Sequence, residues 1–129
     1  MLLDVNDLLG KPYQAHARGP NAYDCYGLVI EVEKRLGREM PDLYKRLADG
    51  EDRDFDPHDV SISSQISGIV KTDTPSFGDV VLFFDDKGRI FHTGVYLKED
   101  DMIHCNKRGV HIIKFYEYSN RSEVYTWQK

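Results

Sequence analysis

The chain has no run of about 18 or more apolar residues, so a membrane-spanning helix is excluded. Its first ten residues, MLLDVNDLLG, lack both a basic n-region and a long apolar stretch, and no secretory signal is expected there. Basic excess is also missing. Lys and Arg number 17 against 22 Asp and Glu, for a formal net charge of −5, and the positive residues are scattered. A nucleic-acid partner therefore has no electrostatic footprint. Lys107-Arg108 is a short basic pair that reads as a solvated turn. Cysteine is scarce, with only Cys25 and Cys105. With no leader, a reducing compartment is expected, where thiols either pack or do chemistry. Repeats and low-complexity tracts are absent.

What remains is ordinary for a globular chain: 129 residues, 40% hydrophobic and 30% charged. That length predicts one domain over 1–129, able to bury about two-thirds of its unfolded surface. The N-terminal part reads as helical. Asp4 caps a short helix over 5–9, ended by Gly10 and barred by Pro12. KPYQAHARGPNAY is an ordered loop. Asp24 then caps a stronger helix in which Cys25, Leu28, Val29, Val32 and Leu36 form one apolar stripe, with Glu31, Glu33, Lys34 and Arg35 facing water and Gly37 at the C-terminal cap. Residues 43–47 extend the helical content, EDRDFDPHD is an exposed acidic loop, and 60–69 has no clean period.

From Phe77 the pattern changes. DVVLFF suits a buried strand, and Asp86-Lys87-Gly88 marks a hairpin. IFHTGVYL alternates, with Phe91, Thr93, Val95 and Leu97 on one face and Ile90, His92, Gly94 and Tyr96 on the other. MIHC, VHIIKFYEY and EVYTW follow as strands, with a turn at Lys107-Arg108-Gly109. Helices followed by an antiparallel meander make the fold class α+β.

Cys25 lies in the first turn of its helix, where backbone N–H groups and the macrodipole favour an anion. A thiolate is the reactive form of cysteine, and the same amides can receive the oxyanion of a tetrahedral intermediate. Taken alone, Cys25 reads as a small apolar residue on the buried stripe. Gly27 shifts the reading, because a glycine there costs about 1 kcal/mol and implies a close approach to the backbone. His92 has room beside Gly94, and His104 on the next strand can hold its other nitrogen. Singly, each histidine reads as a half-buried structural residue; together they favour chemistry. His16, His58 and His111 lack such a frame: His16 and His58 read as loop residues, and His111 as the surface of the last hairpin. Cys105, His104, His92 and Asp79 are the residue types that bind zinc. No Cys-x-x-Cys or His-Glu-x-x-His occurs, and His104 and Cys105 point to opposite faces, so neither a metal nor another cofactor is expected. Cys105 reads as core.

LLGKPY, RGPNAYDCYGLVIEVEKRLG, FGDVVLFF, HTGVYL and MIHC together resemble successive blocks of the NlpC/P60 cysteine peptidases. The resemblance runs over 8–36 and from Pro75 onward. It implies a papain-like core, with N-terminal helices packed on an antiparallel sheet. Residue by residue, it implies Cys25 as nucleophile, His92 as general base and acid, and His104 as the orienting third member. Tyr13 is implied to line the site, and Asp24 to help bind a substrate amine, beside their readings as core aromatic and helix cap. Tyr26 stands where many cell-wall members have Ser and is a further substrate-side position. With Arg18-Gly19-Pro20, it is similar to the branch found in phage tails. The implied activity is that of a cysteine endopeptidase acting on a peptidoglycan stem peptide, between D-glutamate and a diamino acid, with phage tail proteins as partners. The location expected is the cytoplasm of the producing cell or the virion tail. Two alternatives stay open: a thiol amidase or acyltransferase on a non-wall substrate, and a tail assembly component with an auxiliary site. Residues 38–75 match none of these blocks.

Overall fold

Asp24 starts the principal helix as its side chain dictates. In a computed structural model, which describes residues 4–41, 68–88, 90–118 and 120–128, its backbone is extended and its Oδ1 accepts from the Gly27 amide at 2.6 Å. Helix α1 follows over Cys25–Arg35, with Lys34 and Arg35 in its last turn where cations complement the dipole. Leu36 is the C-cap, and Gly37 follows at φ +81°. Cys25, Leu28, Val29 and Val32 are buried as the stripe predicts.

Glu33 departs from that pattern. Expected in water, it is 0% exposed. Arg38 Nη1 reaches its Oε1 at 3.3 Å and the Gly78 carbonyl at 3.0 Å, and the guanidinium lies 5.4 Å from the centre of the Trp127 ring. The carboxyl is thus enclosed between α1 and the strand that carries Trp127. Burial pushes its pKa up to about 8, against the pull of Arg38.

The short helix expected over 5–9 is a succession of turns. Leu8 N–H bonds the Val5 carbonyl and Lys11 N–H that of Leu8, each three residues back, while Asp4 Oδ1 accepts from Asn6 N–H. Five residues close too few bonds to offset helix nucleation. The segment contributes Val5 and Leu8 to the core instead, and Arg35 clasps it with paired bonds of 2.6 and 2.8 Å to Asp7. Among the described residues there is one α-helix rather than several. The expectations over 43–47, the acidic loop with His58, and most of 60–69 lie outside those residues.

Among the described residues, six strands form one antiparallel sheet: β1 (Ile69–Thr72), β2 (Val80–Phe84), β3 (Ile90–Tyr96), β4 (Asp101–Asn106), β5 (Gly109–Lys114) and β6 (Ser122–Trp127), in the order β1-β6-β2-β3-β4-β5. β2 to β5 are the meander read from the sequence. β6 returns to pair with β2, and β1 adds to its outer edge. The strand expected through VHIIKFYEY stops at Lys114, and Phe115–Glu117 turn as 3₁₀ helix.

One bulge alters the alternation of β3. Phe83 pairs with His92 but Phe84 pairs with Ile90, leaving Phe91 as the extra residue. Ile90 therefore joins the core beneath α1, and Phe91 joins the face that carries His92, the reverse of strict alternation. Leu28, Val29 and Val32 pack with Val80, Leu82, Val95, Ile103 and Cys105 between helix and sheet. Val81, Phe83, Met102 and Val124 cover the other face. No helix among the described residues is long and apolar enough to cross a membrane.

Candidate active site

Helix α1 packs on β3 and β4, the two strands that carry His92 and His104. Its first residue, Cys25, is fully buried. The start of the helix is pinned to the end of β4, because Cys105 Sγ donates to the Tyr23 carbonyl at 3.2 Å. Cys105 is therefore a core residue, on the side of β4 opposite His104, as alternation predicts. It joins the segment leading into Cys25 to the strand that presents His104.

His92 and His104 meet on one sheet face, but not as a directly opposed pair. Gly94 is the residue opposite His104, so His92 lies on the diagonal, where side chains begin roughly 7–8 Å apart. Gly94 puts no side chain into that space, which β4 closes instead. A Cβ at Gly94 would come within 3.2 Å of His104 Cβ and 3.1 Å of Met102 Sδ. His92 Nε2 reaches His104 Nδ1 at 2.7 Å, with the two rings edge to face at 79°. Both side chains are nearly buried, at 8% and 6% exposure. The β3–β4 ladder ends at the Gly94–His104 pair, which frees His92 from strand pairing on that side.

His111 belongs to this group, although its position on the last hairpin read as surface. Its Nε2 lies 3.0 Å from His104 Nε2, and its Nδ1 lies 3.0 Å from the Gly109 carbonyl. A signal for it was available in the sequence. A two-residue turn at Lys107-Arg108 makes His104 and His111 equidistant from the turn and hence cross-strand partners, which is their register.

The residues expected beside the substrate are placed as follows. Tyr13 is half-buried and packs on the core, and its backbone bridges that of Tyr23. Gln14 N–H bonds the Tyr23 carbonyl and Tyr23 N–H that of Pro12, so the Tyr13 loop and the approach to Cys25 form one unit. Asp24 is 0% exposed; besides the Gly27 amide, its Oδ1 accepts from Arg18 Nη1 at 2.6 Å. Burial raises its pKa while Arg18 and the Gly27 amide oppose the rise. This carboxylate is a cap and an ion-pair partner, enclosed within the fold. Tyr26 is 1% exposed, and its hydroxyl donates to the Pro41 carbonyl at 2.6 Å. As the second residue of α1 it turns into the core and braces the chain beyond the helix.

The close approach implied by Gly27 is real, and its partner is the chain itself. The Ala17 carbonyl lies where a Cβ would sit, and it also accepts from Asp24 N–H at 3.1 Å. The Gly27 and Leu28 amides both bond to Asp24, which withdraws them from any role toward an oxyanion. Asp79 does not converge with the histidines; its carboxylate accepts from the Ser76 amide and hydroxyl and braces the turn before β2. Beside His92 and His104 opens a pocket of about 210 Å³, with Phe83, Phe91, Met102 and Ile113 among its walls.

The sequence matches the NlpC/P60 family over residues 10–128. No curated protein matches it. Among solved structures it is similar to an NlpC/P60 family protein from Bacillus cereus, at 22% identity and a TM-score of 0.68, covering 98% of this chain and 41% of that one. NlpC2 from Trichomonas vaginalis is similar at 21% identity and a TM-score of 0.61, with 88% and 40% covered. The NlpC/p60 domain of peptidoglycan hydrolase SagA gives 17% identity and a TM-score of 0.59, with 91% and 86% covered. The chain thus spans about two-fifths of the length of the Bacillus and Trichomonas proteins and most of the SagA domain. With the match running over nearly all of its residues, the chain belongs to the NlpC/P60 family.

Proposed function

We propose that this chain is a thiol hydrolase that cuts an amide bond in peptidoglycan stem peptides, between D-glutamate and a diamino acid. The observation that carries it is the buried 2.7 Å bond between His92 and His104 on strands packed against the helix that begins with Cys25. With Nε2 of His92 engaged by His104, Nδ1 is the nitrogen that serves the thiol. It takes the Cys25 proton as the sulfur attacks the carbonyl and returns it to the leaving amine. Water then resolves the thioester by the same route. A peptidoglycan hydrolase with a domain of this fold supports the substrate class.

Delivery by a phage-like tail is the finer part of the proposal, and it rests on Tyr26 and the Arg18-Gly19-Pro20 context. Arg18 holds Asp24 and lies 5.7 Å from the centre of the Tyr26 ring, so these positions sit side by side at the start of α1. A second reading, an amidase on a substrate with an apolar acyl part, draws support from the phenylalanines and methionine in the walls of the pocket beside the histidines.

Incubation with muropeptides followed by mass analysis tests the first reading. Stem peptides cut between D-glutamate and the diamino acid are expected from the wild type, with the rate lost in Cys25→Ala. Intact muropeptides alongside hydrolysis of N-acyl amides would transfer the assignment to the second reading. Equal cleavage by Cys25→Ala would overturn both.

A further inference from the structure

The three histidines form a chain with a fixed direction, and the residue that fixes it is outside the proposed catalytic group. The Gly109 carbonyl can only accept, so His111 Nδ1, 3.0 Å away, must carry a proton. In a neutral His111 the other nitrogen, Nε2, is then an acceptor. The bond of 3.0 Å from His104 must be donated by His104 Nε2–H. A neutral His104 with its proton on Nε2 has a bare Nδ1, so the 2.7 Å bond is donated by His92 Nε2–H. That leaves His92 with its lone pair on Nδ1, the nitrogen that must act as base. Reversing any one tautomer would set two donors or two lone pairs against each other.

We propose that His111, anchored on the Gly109 carbonyl, is a positioning residue that sets the tautomer of the catalytic base and shares its positive charge. The inference rests on the reading of His92 as the base of Cys25. When His92 Nδ1 takes the thiol proton, the Nε2 proton of His92 can move to His104 Nδ1. The Nε2 proton of His104 then moves to His111 Nε2. No proton is gained or lost: Cys25 becomes thiolate, His92 and His104 end neutral with their tautomers reversed, and His111 becomes imidazolium. His111 is more exposed than the two buried rings, so it is the site where the charge is best hydrated. The hairpin geometry supports the anchor. Gly109 takes φ +91°, and the next residue, Val110, donates its N–H to the Lys11 carbonyl at 2.9 Å, so the strand start that fixes His111 is tied to the N-terminal segment.

The test reads tautomers directly and needs no substrate. Nitrogen-15 shifts of the ring nitrogens, recorded in alkaline buffer on Cys25→Ala and on the variants below in that background, where no thiolate biases His92, are expected to show His92 and His104 protonated at Nε2 and His111 at Nδ1. His111→Phe keeps the volume and removes the acceptor. It is expected to shift His92 toward the Nδ1-protonated form and slow alkylation of Cys25 roughly 10- to 100-fold, less than loss of the base itself. His111→Gln, which restores an acceptor for His104 Nε2–H, is expected to recover most of that rate. A His92 protonated at Nδ1 in Cys25→Ala with His111 intact would overturn the proposal. So would a Phe variant with unchanged shifts and alkylation rate, or a Gln variant as slow as Phe. Expected tautomers in a protein that leaves muropeptides intact would instead count against the substrate assignment alone.

Discussion

Gly94 has no side chain opposite His104, beside the diagonal bond from His92. In Gly94→Ala the new methyl would stand 2.9 Å from the Ile103 carbonyl and 3.2 Å from His104 Cβ, so the β4 backbone or the imidazole must move. An overpacking cost of about 1–3 kcal/mol is expected in thermal unfolding. Displacing one ring is expected to slow Cys25 alkylation, by up to about 10²-fold for a shift approaching 1 Å. Alkylation at the wild-type rate in a folded variant would show that Gly94 does not position His92. Tyr26 gives the contrasting case. Tyr26→Phe removes one hydroxyl bond to Pro41 and is expected to cost about 1 kcal/mol in denaturant unfolding, with KM unchanged because the ring lies in the core. A raised KM would return Tyr26 to the substrate side.

Helix α1 depends on its first turn, where Asp24, Gly27, Arg18 and Ala17 interlock. Asp24→Ala removes the cap and leaves the Arg18 charge without its carboxylate. A loss of about 1–2 kcal/mol is expected in denaturant unfolding, whereas Asp24→Asn keeps the acceptor for the Gly27 amide and should recover much of it. Equal losses in the two variants would place the energy in the ion pair rather than the cap. This turn was the most legible part of the chain, because capping and the 3.6-residue stripe are local signals. The strand partners of His92 were less so. The bulge at Phe91 arises from how β2 and β3 pair, which no spacing within IFHTGVYL encodes. His111 was legible in principle through hairpin arithmetic. The turns that replace the 5–9 helix follow from a segment too short to nucleate and from contacts to Arg35 that lie 28 residues away in sequence.

The enclosed Glu33 couples the stability of the whole molecule to pH. Its pKa rises from 4.5 to about 8 on folding, so between those values the native state holds a proton that the unfolded chain releases. Stability is then highest below the unfolded value and falls as pH rises toward 8, by an amount on the order of a few kcal/mol. Thermal unfolding of the wild type is expected to show a Tm falling over that window, with Glu33→Gln flattening the fall. Parallel pH curves for the two proteins would locate the dependence elsewhere.

The sequence by itself determined the helix that begins at Cys25, its cap, the strand-rich second half and the family, because these rest on short-range periodicity and on blocks of adjacent residues. The burial of Glu33 between Arg38 and Trp127, the inward turn of Tyr26 and the bulge at Phe91 were decided only by the tertiary structure. So was the anchoring of His111 Nδ1 on the Gly109 carbonyl. Each of these depends on which side chains from separate elements come to share one enclosed space, and long-range pairing sets that sharing.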